Sequence, residues 1–527
     1  MRFFLSGPPG PEAFELHEPE TGTAADTKRM EELGRKPKVA LTRRLVHRQA
    51  VWGLASTVVI TWQNMLFLSP IALSSSGLAG FFWSSVIAFV AMFVVYIGLR
   101  EKAERWPVAA GQYYWVAQLA PRRYAKPLSF LSGWKLMSSW QVFLAAGVMI
   151  VGNGVAAVVF FLHGSSPFWL PTVLGIITTI LIFVVNRWGL HLLAKAEFPM
   201  FIFHLIVFAL FVAILLGLRK FSGIPFAAPG DVFFTFHNGG GWASMGSAVT
   251  LTATVPLSSA IGYDCIFHLG EEIKGAATIM PTVLTWASAV NFTLGLATVL
   301  VVAFSVPDVD ALLSTPLSQS GPVGPVIQMF ATAIVSRPWT TAVSIMLIAT
   351  LIPCCINSDT AASRQLWAFA ENRALPNSAW IQKVDEKSGV PYNALILTLI
   401  APIGLSLLNL GSPTALNAII SLVVINLMAS YLVVASASLY SRCTGKASPE
   451  ELVYGLGYWT GIAVDTFSII YLIASSVIVV FPSVPNPTAA EMNWAFVLFI
   501  GDCGIGTLFY YFHGRGHYIC PQDSTLT

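Results

Sequence analysis

The sequence predicts an all-α integral membrane protein of about twelve transmembrane helices. Only 10% of its 527 residues are charged and 55% are hydrophobic, whereas a typical soluble domain carries roughly 25% charged residues. So little charge cannot coat a globule of this size, and the mean hydropathy of +0.70 points to lipid as the remaining solvent. The apolar runs are long and continuous, near the ~20 residues that span a bilayer, which favours helices over barrel strands of about ten alternating residues.

The predicted helices follow a polar N-terminal segment. Residues 1–48 are rich in Pro, Gly and charged residues and are expected to form a disordered cytoplasmic tail. A membrane domain is expected over 49–513, and a cytoplasmic C-terminal tail over 514–527. The predicted helices are 50–75, 79–99, 128–161, 168–186, 194–217, 248–270, 281–304, 331–357, 392–410, 414–440, 456–480 and 491–512.

The distribution of Lys and Arg predicts the orientation of these helices. If the N-terminus is cytoplasmic, only Arg219, Lys220 and Arg337 fall on the outer side, which leaves 26 of the 29 basic residues on the inner side. Cytoplasmic loops of membrane proteins carry such an excess. Both termini are therefore expected in the cytoplasm, and the helix count is supported because one missed span would invert every later segment.

Two of the predicted helices are interrupted near mid-span by polar and helix-breaking residues. The first interruption is the run from Thr61 to Asn64, and the second includes Pro256, Ser258, Ser259, Gly262 and Asp264. These helices open two halves of five, 50–217 and 248–440, with two further helices within 456–512. Interrupted helices at matching positions point to a binding site at the bilayer midplane; close packing of helices by small residues is the alternative.

Catalytic and cofactor motifs do not emerge from the sequence. The nine histidines are dispersed, the six cysteines lack metal-site or disulfide spacing, and no His-Glu-x-x-His, Gly-x-Ser-x-Gly or phosphate-binding loop occurs. We therefore expect no enzyme, no metal site, no cofactor and no direct drive by ATP.

Three stretches, all expected at the inner side, carry a family resemblance. They are Gly111-Gln-Tyr113-Tyr-Trp115, Gly262-Tyr-Asp264 through His268 to Glu271-Glu272, and Asn357-Ser-Asp359 through Ser363-Arg364 to Val390-Pro391-Tyr-Asn393. Over residues 45–512 the chain resembles the fungal amino acid, choline and GABA permeases of the amino acid–polyamine–organocation superfamily. The resemblance implies a LeuT-like fold of two inverted five-helix repeats plus two helices. It also implies secondary transport of a small amine or amino acid by alternating access, coupled to protons.

The interruptions and the resemblance together predict the residues of a substrate site. The carboxylate of Asp264 could pair with a substrate ammonium or cap a restarted helix, and aromatic faces could cage an ammonium or fill the core. The residues of this predicted site are Thr61, Trp62, Gln63, Asn64, Gly262, Tyr263 and Asp264. Relatives specialised for α-amino acids often carry Gly-Ser-Gly at the first interruption. Its absence favours choline-like, GABA-like or polyamine substrates.

Charged residues near the inner side suggest a gate and a coupling residue. Glu271 and Arg364 are predicted members of an inner gate, with a solvated face at the membrane edge as the alternative. Lys195 could carry the coupled proton, or its ammonium could simply reach the interface. The expected partners are a small-molecule substrate and the lipid of the plasma or vacuolar membrane, not nucleic acid. A nutrient sensor on this fold and an exporter of a specialised metabolite are the alternative functions.

Overall fold

The described part of the chain forms a bundle of twelve membrane-length spans. The computed structural model describes residues 33, 48–221, 223–314, 321–385, 388–410, 415–446, 452–482, 484–489 and 492–524. In these residues, 11 helices are long and apolar enough to span a membrane. The twelfth span is helix six, which consists of segments that are individually too short to count. The predicted all-α fold is confirmed; the predicted disordered tail lies almost entirely outside the described residues.

The first half contains helices one to five. Helix one has two segments, Arg48–Val59 and Thr61–Phe67, and continues into the helix Ser69–Arg105 as far as a kink at Gly77. The remainder of that long helix is helix two. The next three are Arg122–His163, Leu170–Trp188 and Leu190–Val212, the last extended by a π-helical stretch at Ala213–Leu218. A short helix, Gln112–Leu119, connects helices two and three.

The second half repeats this arrangement and is followed by two helices. Helix six comprises Met245–Thr252, Thr254–Ala260 and the 3₁₀ segment Tyr263–Leu269. The later spans are Ala276–Ser305, Arg337–Glu371, Tyr392–Leu410, Ala415–Cys443, Tyr458–Val479 and Ala495–His517. We call the end of the bundle at which helix one begins its inner end.

Both predicted ends of helix eight are wrong, and the predicted break between helices one and two is too long. Helix eight was expected over 331–357 but runs over Arg337–Glu371, and residues 331–334 belong to a separate helix, Gly324–Ile334. The residues after position 356 are polar, which predicted the end of a membrane helix. In the structure they are buried and hydrogen-bonded inside the bundle, so the helix continues. Arg364 therefore lies within helix eight. The predicted loop 76–78 is reduced to Gly77, whose φ of 69° turns the chain.

The helices that surround the bundle centre are those with interruptions or small residues. Within the most apolar window of each span, 94% of helix one, 78% of helix three and 83% of helix ten are buried in the protein, against 11% of helix twelve. Small residues let helices approach closely in a membrane, where no hydrophobic force drives them together. A Cβ on Gly133 of helix three, for example, would press into the ring of Phe369.

Helix eleven is attached to the bundle by buried charges. The carboxylate of Asp465 accepts hydrogen bonds from Arg442 Nε at 2.9 Å and Ser438 Oγ at 2.6 Å, and lies 3.3 Å from Lys102 Nζ. Glu101 pairs with both Lys102 and Arg442. Four charges from helices two, ten and eleven thus neutralise one another, which a low-dielectric interior requires.

Helix twelve is attached in the same way. Asp502 lies 2.5 Å from Lys135 Nζ of helix three and accepts hydrogen bonds from Trp134 Nε1 at 2.9 Å and Ser138 Oγ at 2.8 Å. The segment after helix twelve packs against the bundle. Tyr518 is 2% exposed and lies 2.7 Å from Ser129 Oγ, so part of the predicted tail 514–527 packs on the inner end.

We predict that Asp465→Asn destabilises the fold. The change removes one of two counter-charges for Lys102 and Arg442, and breaking a buried pair costs about 3–5 kcal/mol. Thermal unfolding in detergent, followed by loss of the monodisperse species, should therefore shift to lower temperature. The matched control is Asp231→Asn, at an exposed carboxylate that accepts a hydrogen bond from Thr235; equal midpoints for the two variants would contradict the prediction.

Candidate functional site

Helix one is interrupted at Ile60, one residue before the predicted polar run. Ile60 has φ 41° and ψ 41°, a left-handed conformation that a β-branched residue rarely adopts. Such strain persists only where the surroundings enforce it, and it concentrates at functional sites. Ile60 therefore forms a bend in the middle of the bundle, where the first segment of helix one ends and the second begins.

Helix six is interrupted at Ile261 and Gly262. The extended Ile261 ends the segment Thr254–Ala260, and Gly262 has φ 101°, which only glycine adopts without strain. A Cβ at Gly262 would also lie 3.2 Å from the ring of Phe143. Gly262 is thus a structural requirement of the bend, and the prediction of an interruption at this position is confirmed.

Side chains connect the two interruptions directly. The hydroxyl of Thr61 donates to the carbonyl oxygen of Ser259 at 2.9 Å, which leaves it to accept from the hydroxyl of Tyr263 at 2.7 Å. Tyr96 of helix two donates to the carbonyl oxygen of Ala260 at 2.7 Å. Thr61 and Tyr96 therefore satisfy backbone groups freed by the bend in helix six. The bond between the fully buried Thr61 and Tyr263 also holds helices one and six together.

A cavity of about 40 Å³ lies against both interruptions. Its polar side chains are Asn64 and Ser258, joined by a hydrogen bond of 3.4 Å, and Phe143 contributes its aromatic ring. The other lining residues come from helices one, three, six, eight and ten: Val59, Ile60, Ala146, Gly147, Ile150, Ile261, Cys354, Ile420, Val423 and Val424. No charged side chain is among these lining residues.

A larger vestibule leads from the outer end towards this cavity. It has a volume of about 250 Å³ and shares Ser258 and Ile420 with the cavity. Its polar lining is hydroxyl and amide, including Ser75, Asn417 and Asn493, and none of its lining residues is charged. A small neutral or singly charged solute could approach the interruptions by this route.

Asp264 does not line either space. It is fully buried, and Tyr431 OH donates to its Oδ1 at 2.6 Å. Gln112 Nε2 at 2.8 Å and Trp140 Nε1 at 3.3 Å donate to Oδ2, and His268 Nε2 lies 3.5 Å from the same atom. The carboxylate therefore joins helices three, six and ten and the connecting helix Gln112–Leu119 below the cavity.

The other predicted residues of helix one face helix five. Trp62 donates from Nε1 to His204 Nε2 at 2.8 Å and stacks on Phe211 with ring centroids 5.7 Å apart. The amide of Gln63 lies 2.9 Å from His204 Nδ1. Of the seven predicted substrate residues, only Asn64 lines the cavity. One predicted residue thus lines the cavity, while the side chains of Thr61, Trp62, Gln63, Tyr263 and Asp264 form contacts between helices.

Helix five presents a buried carboxyl group rather than Lys195. Lys195 is exposed, whereas Glu197 is 1% exposed. Asn357 Nδ2 donates to Glu197 Oε2 at 3.0 Å and to Thr57 Oγ1 at 3.0 Å, which joins helices one, five and eight. A Cβ at Gly53 would overlap the carbonyl oxygen of Glu197. Among the described residues, Glu197 Oε1 has no hydrogen-bond partner.

A buried ion pair lies at the inner end. Arg364 Nε donates to Glu272 Oε1 at 2.9 Å, with the two side chains 1% and 5% exposed. Of the two residues predicted for an inner gate, Arg364 belongs to this pair, and its carboxylate partner is Glu272, next to the predicted Glu271. A gate at this position stays a prediction. The pair connects helix eight to the chain that leaves helix six, on the opposite side of the cavity from the vestibule.

Sequence reasoning missed Phe143, Cys354 and Val423 as lining residues. Phe143 lies within a continuous apolar run, and nothing in that pattern distinguishes a cavity wall from a core residue. Ser258 carried a weak signal, because it stands four residues before Gly262 and therefore one turn from the bend.

The interrupted helices, the vestibule and the closed inner end are those of a transmembrane transporter of the alternating-access type. Residues 51–501 match the family model described as amino acid permease, and the chain belongs to that family. It is 23% identical to the choline transporter of Saccharomyces cerevisiae over 97% of this chain and 89% of that protein. It is 26% identical to the GABA-specific permease of the same yeast, over 95% and 87%. An uncharacterized amino-acid permease of Schizosaccharomyces pombe is 26% identical, over 90% and 84%.

We predict that Arg364→Gln loosens the inner closure. It removes the charge that neutralises Glu272, so the closed arrangement should lose stability and water should reach the fully buried Cys265. An impermeant thiol reagent applied to inside-out membranes should label Cys265 roughly tenfold faster, a typical conformational coupling factor, as quantified by peptide mass spectrometry.

The matched control for this variant is Arg187→Gln. Arg187 pairs with Asp385 at 3.3 Å, but the two side chains are 24% and 28% exposed, and exposed pairs contribute little. Labelling of Cys265 at the wild-type rate in Arg364→Gln would show that the pair with Glu272 does not hold the inner end shut.

Proposed function

We propose that this transporter imports a compact amine or amino-acid-like solute, driven by the proton gradient. The observation that carries the proposal is a cavity at two interrupted helices, with a vestibule on one side and a buried ion pair on the other. Alternating access requires such a site with two separately closable ends. The arrangement corresponds to a conformation with the inner end shut.

The walls of the cavity favour a substrate with one cationic group. The helix Arg48–Val59 ends at the cavity, and the C-terminal end of a helix carries a partial negative charge that attracts an ammonium group. Phe143 adds an aromatic face, and Asn64 and Ser258 can bond a hydroxyl or carboxylate group. A polyamine would bring several charges to a lining without a carboxylate. Choline-like and GABA-like molecules, which the names of two relatives mention, fit this chemistry better.

Asp264 then acts in the inner closure rather than as the first contact of the substrate. Three of its four polar neighbours, Tyr431, Gln112 and Trp140, come from three other elements that must separate when the inner end opens. Phe143 and Trp140 lie between it and the cavity, since their ring centroids are 5.1 Å apart and Trp140 bonds the carboxylate. Access of substrate to Asp264 would follow rearrangement of these two rings.

Glu197 is our candidate for the group that carries the coupled proton, in place of Lys195. Ionisable groups inside a membrane are costly and mark ion and proton pathways. The backbone carbonyl of Glu197 packs against Gly53 of helix one. Its carboxyl group accepts from Asn357 of helix eight, which also donates to Thr57 of helix one. Gain or loss of its proton would therefore alter contacts between elements that move against each other.

The membrane and the orientation form part of the same proposal. An importer with its vestibule facing outwards has the inner end, both termini and the Arg364–Glu272 pair in the cytoplasm. The excess of Lys and Arg on that side supports this orientation. Uptake from the medium would require the plasma membrane.

Radiolabelled uptake in a permease-deficient yeast strain tests the proposal. Choline, GABA, a polyamine and a pool of amino acids would be compared at pH 5 and 7.5, with and without a protonophore. We expect saturable uptake of one compact amine that disappears with the protonophore. Preferred uptake of the polyamine would contradict the substrate class, and no uptake by protein at the cell surface would favour an exporter or a sensor.

We predict that Glu197→Gln uncouples transport from protons. The amide keeps the size of the side chain and can bond Asn357, but it cannot exchange a proton. In proteoliposomes, uptake driven by a pH gradient should fall roughly tenfold, in line with ordinary coupling factors, while exchange of internal for external substrate should persist. Lys195→Gln is the matched comparison and should retain gradient-driven uptake; the reverse pattern would identify Lys195 instead.

A further inference from the structure

His204 of helix five stands against the second segment of helix one, and its hydrogen bonds fix its protonation. The indole Nε1–H of Trp62 can only donate, and it points at His204 Nε2 from 2.8 Å. His204 Nε2 must therefore carry no hydrogen. The imidazole is neutral in this conformation, with its hydrogen on Nδ1.

The contact on the other ring nitrogen agrees with this tautomer. An Nδ1–H must find an acceptor, and the side-chain amide of Gln63 lies 2.9 Å away. Amide orientation is assigned from the hydrogen-bond network, and the network requires that Gln63 present its oxygen to Nδ1. The structure places Gln63 Nε2 nearest Nδ1 and leaves Oε1 buried without a partner, so this assignment exchanges the two amide atoms. Both ring nitrogens of His204 are then satisfied by consecutive residues of helix one.

Among the residues that the structure describes, no charged side chain pairs with His204 to compensate a proton there. His204 is 2% exposed, and its contacts in the described part of the chain are Trp62, Gln63 and the ring of Phe201. Glu197, two turns earlier on the same helix, bonds Asn357 of helix eight instead. If Nε2 took up a proton, two N–H donors, those of Trp62 and His204, would point at each other. The positive charge on His204 would also lie in surroundings that do not stabilise it.

We propose that His204 and Trp62 form a proton-sensitive contact that holds helix one in the conformation with an open vestibule. The contact exists only with neutral His204, so a conformation in which Trp62 has moved away and water reaches the imidazole binds a proton more readily. By linkage, acidification favours that second conformation. Imidazoles change charge in the range of pH 5 to 8 in which such a contact would operate.

The inference rests on the proposed function only in requiring two conformations that differ at the vestibule. It is distinct from the role proposed for Glu197, which faces the first segment of helix one. Helix five would thus present one titratable group to each segment of the interrupted helix. Glu197 would couple the proton to transport, and His204 would set the balance between the two conformations.

Accessibility of the vestibule, measured without substrate, tests the proposal independently of transport. Asn417, which lines the vestibule, is changed to Cys in protein that also carries Cys503→Ser. An impermeant thiol reagent is applied to open membrane fragments at pH 7.5 and 5.5. The ratio of labelling at position 417 to labelling at the exposed Cys443 corrects for ionisation of the thiols.

We expect this ratio to fall roughly tenfold on acidification, as linkage to one proton permits. His204→Gln should remove the dependence on pH, because the glutamine oxygen still accepts from Trp62 but takes up no proton. Trp62→Phe should remove it as well, since the ring remains and the donor is lost. The control His163→Gln, at an exposed position, should behave like the unmodified protein.

Three results would overturn the proposal. They are a ratio that does not change with pH in the parent protein, a full pH dependence in His204→Gln, and a full pH dependence in Trp62→Phe. The third would show that His204 acts through a neighbour other than Trp62. If His204→Gln fails to reach the membrane, Trp62→Phe alone decides between the outcomes, because its ring preserves the stacking on Phe211.

Discussion

The bundle depends on satisfying the backbone groups that are freed where helices one and six are interrupted. In the interior of a membrane protein, water does not compete for such groups, and each unpaired one costs several kcal/mol. Thr61 and Tyr96 meet this requirement by donating to the carbonyl oxygens of Ser259 and Ala260. Because those donors come from helices one and two, the bend in helix six is stable only when the first half of the protein packs against it.

Buried charged groups, like buried backbone groups, must be paired. The paired charges lie where the outer helices eleven and twelve contact the bundle. The ion pairs of Asp465 and Asp502 attach helices eleven and twelve to the bundle through Lys102, Arg442 and Lys135. Each of these carboxylates is bonded by several donors, so neither is free to bind a ligand. The space between the interruptions, in contrast, is lined by hydroxyl, amide and apolar groups without a fixed charge. Charged side chains thus attach helices eleven and twelve to the bundle, while none is among the lining residues of the cavity and the vestibule.

The sequence predicted the class of fold and the position of both interruptions, because composition, hydropathy and helix-breaking residues act locally. It did not predict which way each side chain faces. Thr61, Trp62, Gln63 and Asn64 are consecutive, so a helix directs them to different neighbours, about 100° apart. Only Asn64 reaches the cavity. The same limit explains Lys195 and Glu197, which are two residues apart on helix five but differ completely in burial. Rotation of a helix about its axis is set by packing, which single-sequence patterns do not record.

Asp264 illustrates why a buried carboxylate near a substrate cavity need not be a substrate ligand. Its oxygens already accept from Tyr431, Gln112 and Trp140, and charge-assisted bonds of this kind are stronger than neutral ones. A solute entering from the vestibule would have to displace these donors and the ring of Phe143 before reaching the carboxylate. The donors belong to helices three and ten and to the connecting helix Gln112–Leu119, so displacing them separates the elements that shut the inner end. Occupation of Asp264 and opening of the inner end would therefore be one event. In this closed conformation the carboxylate contributes to closure through the bonds that a solute would later have to replace.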